Sequence, residues 1–181
     1  MKRRILIIFI AFIAFLVIFI KYRMNQSDPK ILLPLLTKIE HTIDLRDAKN
    51  KAVSKADVAW HLDHMLKTIN RLSESLESSD PTMYHSSFNV PRIMSLTGGI
   101  IPRGRAQSPQ NVRPPENILT ENIHAQILEA KDNIQKLENL DANANFDHPV
   151  FGMLNKAQTI RFLEVHTAHH LKIIADILDS E

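Results

Sequence analysis

Four separate stretches of this chain carry apolar residues at helical spacing, and a fifth is apolar throughout. Recurrence every three or four residues marks one face of a 3.6-residue helix. The first stretch opens at Asp28-Pro29, a capping side chain followed by the proline that suits a first turn. It continues through Ile31, Leu32, Leu35, Leu36, Ile39 and Ile43. The second begins at Ser54, with Asp57 three residues on in a variant of the capping box. Its stripe is Val58, Leu62, Met65, Leu66, Ile69, Leu72 and Leu76. The third runs from about Glu116 to Leu140, with Ile123, Ile127, Ile134 and Leu137 on one side. After the turn "FDHPVFG", Asn155 and Gln158 cap a fourth that extends nearly to Glu181. Between the second and third, residues 80–115 hold most of the prolines and the pair Gly98-Gly99, which reads as one long loop. There is no alternating strand pattern and no internal repeat. Four amphipathic helices with one long crossover predict an all-α four-helix bundle over residues 27–181.

Residues 1–26 stand apart. "MKRRILIIFIAFIAFLVIFIKYR" opens on Lys2, Arg3 and Arg4 and is then uncharged and apolar from Ile5 to Ile20. A soluble helix apolar on every side would have no wet face. The run is slightly short for a spanning helix and long for a signal-peptide core. No small-residue cleavage site follows, and flanking Lys and Arg can snorkel to extend the span. The reading is an uncleaved single-pass anchor, with a cleaved signal as the alternative. The basic N-terminal flank keeps that end in the cytoplasm and puts the domain on the extracytoplasmic side.

Composition excludes several function classes. The 181 residues suit one ordinary domain plus an appendage, and the net charge is only +2. The Lys and Arg form no stripe with interleaved aromatics, so nucleic acid is not an expected partner. With no cysteine, disulfides, Cys-based zinc sites and thiol nucleophiles are ruled out. Any metal site must use His, Asp or Glu, and nine histidines supply candidates.

Three of them lie within five positions of "FLEVHTAHHLKII", residues 162–174. At about 100° per residue, His170 lies about 20° from the centre of its apolar stripe, His166 about 60° and His169 about 120°. His166 and His170 therefore face inward one turn apart, as two imidazoles bridged by a metal ion would. In the second helix the same count puts His61 about 70° from the stripe centre and His64 about 130°. His61 reads as inward and His64 as a rim or supporting group, while His41 and His124 read as surface residues. Spacing alone leaves ordinary packing open for all three inward rings, although buried imidazoles without partners are costly.

"SKADVAWHL", residues 54–62, resembles the second-helix motif of the DinB-like (YfiT-like) superfamily. "HPVFGMLNKAQTIRFLEVHTAHHLKII", residues 148–174, is similar to the last-helix signature of a branch of small bacterial proteins without assigned function, which reads HPxFG and then HxxHHL. "IPRGRAQSPQNVRPPE", residues 101–116, resembles that branch's connector. The likeness covers roughly residues 30–178. It implies an up-down-down-up four-helix bundle with a divalent metal in its core. Carried over position by position, the ligands fall on His61, His166 and His170. Zinc is the default ion, with nickel or iron as alternatives for imidazole ligands. The all-imidazole site and the apolar N-terminus both depart from the thiol-using, cytoplasmic relatives.

Two functions follow from that likeness. One is a metal-dependent enzyme of hydrolase or transferase type, its substrate unknown. Residues 80–115 would cover its site, and Arg103, Arg105 and Arg113 are candidates to meet an anionic small molecule. Near the metal, His64, His169, Asp63 and Glu164 are candidates for proton transfer or support. The other is a non-catalytic, membrane-tethered module that binds metal or ligand. A homodimer is compatible with either. The anchor itself has a direct check. Full-length protein should stay in the pellet after a carbonate wash of cell membranes, and its release into the soluble fraction would refute the anchor.

Overall fold

The structure, a computed structural model, describes residues 2–104 and 107–179. Within them the chain is mostly helical, as the stripes predict. Six α-helices are formed: α1 (Lys2–Met24), α2 (Leu33–His41), α3 (Val58–Glu77), α4 (Val90–Gly98), α5 (Thr120–Asn139) and α6 (Lys156–Leu178). Two short strands, β1 (Asn145–His148) and β2 (Gly152–Asn155), precede α6.

The expected caps hold at two helices. Asp28 accepts a hydrogen bond from the Lys30 amide at 2.9 Å and opens a short 3-10 turn that leads into α2. Asn155 accepts from the Gln158 amide at 2.9 Å and starts α6. At α3 the sequence reading is corrected: the helix starts at Val58, and Asp57 rather than Ser54 is its cap, accepting from the Trp60 amide at 2.9 Å. Ser54 accepts from Ala56 N–H and turns its hydroxyl toward His61 instead. The α5 start also moves, from Glu116 to Thr120. Pro114 and Pro115 keep the preceding chain extended, and the Arg46 guanidinium holds the Ile118 carbonyl and the Thr120 hydroxyl.

Residues 80–115 are not one loop. They contain α4, capped by Asn89 on the Arg92 amide at 2.8 Å and ended by Gly99 at φ 68. A nine-residue helix is too short to show a sustained stripe. Gly99 is fixed twice over. Its positive φ disfavours any side chain, and a Cβ there would come within 3.1 Å of the Arg161 guanidinium. That guanidinium donates through Nε to the Leu96 carbonyl at 3.0 Å, satisfying an otherwise unpaired group at the end of α4.

The strands were also absent from the sequence reading, because four residues each give no room for alternation. They pair antiparallel, with Asn145 opposite Asn155 and His148 opposite Gly152. The "HPVFG" turn joins them. His148 Nδ1 accepts from the amides of Val150 and Phe151 at 3.1 and 3.2 Å, and Gly152 sits at φ 66. Phe151 is buried, stacked on His148 and set edge-on to Phe162 of α6.

α3 packs against both α5 and α6, and α2 touches the same two helices. Leu36, Ile39, Leu62, Leu66, Ile69, Ile123, Ile127, Leu163 and Ile174 fill the space between them. α3 is enclosed well beyond its apolar stripe, since His61, Asp63, His64 and Asn70 are buried as well. α1 is exposed along nearly all its length, and only its end, at Ile20 and Met24, joins the core. It is long and apolar enough to be a membrane span or a signal sequence.

Because Phe151 sits in a cluster of rings at the foot of α6, Phe151→Ala should cost about 3 kcal/mol or more of stability. Urea unfolding of the full-length protein in detergent measures it. A loss below about 1 kcal/mol would show a peripheral ring.

Candidate metal centre

Four imidazoles meet where α3 lies against α6. His64 of α3 and His166 and His170 of α6 each bring a ring nitrogen within 4.8 Å of the other two, an arrangement that could hold a metal ion. His61, one turn before His64, places its Nδ1 2.9 Å from Nδ1 of His170. The inward direction read for His61, His166 and His170 is thus the direction they take. His64 is different. The angular count puts it at the rim, yet it is 4 % exposed and belongs to the triad. Of the remaining rings, His169 is half-buried and edge-on to His170, and His41 and His124 are exposed.

The surroundings fix the tautomer of His64 and give His61 and His170 each a partner. His64 Nδ1 lies 2.8 Å from the Val112 carbonyl, which can only accept, so Nδ1 carries the proton and Nε2 keeps its lone pair. Orienting one ring nitrogen through a carbonyl is the usual support for a metal-ligating histidine. His61 Nε2 is 3.1 Å from the Ser54 hydroxyl, which can donate or accept. Between the Nδ1 atoms of His61 and His170 there is room for one shared proton. His166 Nδ1 is buried and has no hydrogen-bond partner among the described residues. A buried, unpartnered imidazole nitrogen is costly, and the defect disappears if that nitrogen is the one that binds an ion. Trp60 stacks on His64 at 4.9 Å and meets His61 edge-on at 5.3 Å, walling the α3 side. Phe162 packs on His166 and links it to the ring cluster around His148.

Burial dominates the electrostatics. It pushes the His61 imidazole down to about 4, with neighbouring His64 adding to the effect. It also lowers His64, against the pull of the Val112 carbonyl and Asp63, which favour the cation. His166 and His170 are held well below the ordinary imidazole range, again by burial first and by the other rings second. All four are therefore neutral near pH 7, the state that offers lone pairs to a metal. Donor type fits an ion as well, since imidazole suits zinc, copper, iron and nickel. Zinc with 2.0–2.1 Å bonds sets its ligands about 3.3 Å apart in a tetrahedron. Side-chain shifts of around an ångström close the triad to that spacing.

The crossing segment does cover the centre, through the buried Val112 and its carbonyl on His64. Its arginines are otherwise engaged. Arg103 pairs with Asp176 of α6 at 2.5 Å, and Arg113 donates to the Ser108 carbonyl at 3.1 Å. Arg105 lies outside the described residues. Asp63 points away from the rings, accepting from Gln126 at 2.8 Å and pairing with Lys67 at 2.7 Å. Glu164 pairs with Arg161 at 2.7 Å.

Residues 78–176 match the model of a family described as a protein of unknown function (DUF1569). The matched stretch takes in α4, α5, the hairpin, His166 and His170, and begins just after α3 with His61 and His64. No curated protein and no solved structure matches the chain.

Neutral burial has a measurable consequence in metal-free protein. The unfolded chain takes up protons on these histidines as pH falls through about 6.5, whereas the folded chain leaves His61 neutral down to about 4. Stability is therefore complete above pH 6.5 and declines between those values. For His61 alone the 2.5-unit gap is worth roughly 3 kcal/mol. In chelator, the urea midpoint should fall from about pH 7 to about pH 4.5, less steeply for His61→Asn. Identical slopes would contradict a neutral, buried His61.

Proposed function

The chain belongs to the DUF1569 family, and from that premise we propose that it is a divalent-metal-binding, metal-dependent enzyme of hydrolase or transferase type, anchored to a membrane by α1. We read α2, α3, α5 and α6 as the four helices of a DinB-like bundle in up-down-down-up order, with residues 80–115 as its long crossing. The observation that carries this reading is the triad of His64, His166 and His170, with ring nitrogens within 4.8 Å of one another and His166 Nδ1 buried without a partner among the described residues. Zinc is the expected ion, and nickel or iron suits the same donors.

In this reading His64 offers Nε2, because its Nδ1 proton is committed to Val112. His166 and His170 stand at i, i+4 on α6 and close the triad. His61 is held between the Ser54 hydroxyl and His170 Nδ1. Either of its nitrogens can then take or return a proton, and each proton has a partner to go to. Trp60 and Phe162 exclude water on two sides of the rings. A bound divalent ion supplies Lewis acidity, which makes a water or a substrate thiol nucleophilic near neutral pH.

A second reading has its own support. His61 Nδ1 stands 2.9 Å from His170 Nδ1 at the edge of the triad, and a turn of its side chain toward the ion would make it a fourth protein ligand. Four imidazoles would fill a tetrahedral shell, leaving no open position and making the site structural.

Metal content of the purified full-length protein tests both. The parent should carry about one divalent ion, and His64→Ala, His166→Ala and His170→Ala should lose it, because a three-ligand site rarely survives the loss of one. His169→Ala should keep it. His61→Ala separates the readings. A supporting partner costs about 10–100-fold in affinity, whereas a fourth ligand would take the ion with it. A parent without metal, or triad variants that hold the ion as well as the parent, would end the proposal.

A further inference from the structure

Outside the histidine centre, the largest unexplained feature is an apolar patch around α4. Phe88 is 85 % exposed, Met94 70 %, Ile100 68 % and Val90 50 %. Val150 joins them from the hairpin turn, its carbonyl accepting from the Asn89 side chain at 3.1 Å. A soluble surface scatters such residues singly, and clustering of this kind marks an interaction site.

The position of α4 says what that site meets. The end of α1 packs along α4, and Arg23 Nε donates to the Thr97 carbonyl at 3.2 Å. At about 100° per residue, Thr97, Val90 and Met94 follow one another around α4. The exposed apolar face is therefore continuous with the edge held against α1. On the opposite side Arg92, Ser95 and Leu96 are buried in the domain. α1 leaves its apolar run at Lys21-Tyr22-Arg23, a basic and aromatic trio typical of the membrane–water boundary. The bond from Arg23 fixes the end of α4 at that same level. Charge agrees: from Pro81 to Pro115 the chain has four arginines and no Asp or Glu. Within that segment no carboxylate opposes an approach to anionic headgroups; the exposed Asp147 of the hairpin lies outside it.

We infer that α4 and its flanks, through Phe88, Val90, Met94, Ile100 and Val150, form a bilayer-contacting face that lies in the headgroup region beside α1. The inference rests on α1 being inserted in the membrane. An amphipathic helix on a membrane buries its apolar face by about 5–10 Å, a depth these side chains can reach. The crossing that carries this face also holds His64 through Val112. The membrane thus borders the same segment that covers the histidines.

The chain has no cysteine, so single cysteines can carry an environment-sensitive fluorophore without interference. Full-length Met94→Cys, Ile100→Cys, Phe12→Cys and Leu128→Cys are labelled and reconstituted in vesicles of mixed zwitterionic and anionic phospholipid. Phe12 lies in α1, and Leu128 is a 68 % exposed residue of α5. Labels at 94 and 100 should show blue-shifted emission, quenching by doxyl-labelled lipid and loss of iodide quenching, as at 12. Leu128→Cys should respond to iodide only. If 94 and 100 behave like 128 while 12 is quenched by lipid, the membrane face is refuted and the α1 anchor stands. If 94 and 100 are shielded from iodide and lipid alike, another protein covers the patch, and the inference also fails. If 12 is not quenched by lipid, α1 is not inserted and the inference falls with it.

Discussion

Four imidazoles buried between two helices cannot all be solvated, so each must find a proton or a lone pair among its neighbours. That constraint organises the centre of this protein. Burial keeps the rings neutral, and neutral rings carry one donor and one acceptor nitrogen apiece. Ser54 and Val112 take up one nitrogen each of His61 and His64, and the Nδ1 atoms of His61 and His170 take up each other. Nδ1 of His166 is left over, with no partner among the described residues. An ion bound by that nitrogen and shared with His64 and His170 would resolve the remainder with donors already in place.

The rest of the fold can be understood as enclosing that cluster. α3 is central, touching α5 and α6, and its polar positions are sealed by two devices. Asp63 and Asn70 are tied to α5 through Gln126 and Asn133. His64 is capped by the crossing segment. On α6, the hairpin turn stacks His148 and Phe151 under Phe162, which in turn packs on His166. The "HPVFG" turn thus supports the helix that carries His166 and His170 from below, although none of its residues belongs to the triad.

What could be read from the sequence follows from these contacts. Asp28 and Asn155 were legible as caps because a cap is a local device whose spacing appears in a few residues. His166 and His170 were legible because α6 has one dominant apolar direction and both lie near it. His64 was not, because α3 is buried on more than one side. Its apolar stripe reports only the face toward the aliphatic core, while a second buried face is polar and covered by residues far away in sequence. Two features of the sequence point there. Trp60 sits beside both histidines, and the crossing contains isolated apolar residues such as Val112 that needed something to cover. α4 and the strand pair escaped for a simpler reason. Nine and four residues are too short for periodicity, although Asn89 with Pro91 and then Gly98-Gly99 bracket α4 with recognisable start and stop signals.

The central claim is that these imidazoles bind one ion. X-ray absorption at the metal edge of the purified, zinc-loaded full-length protein tests it most directly. The account predicts a first shell near 2.0–2.1 Å of nitrogen donors, with outer-shell scattering from at least three imidazole rings. A shell of oxygen donors without ring scattering would contradict it, as would protein that retains no zinc after exchange into metal-free buffer.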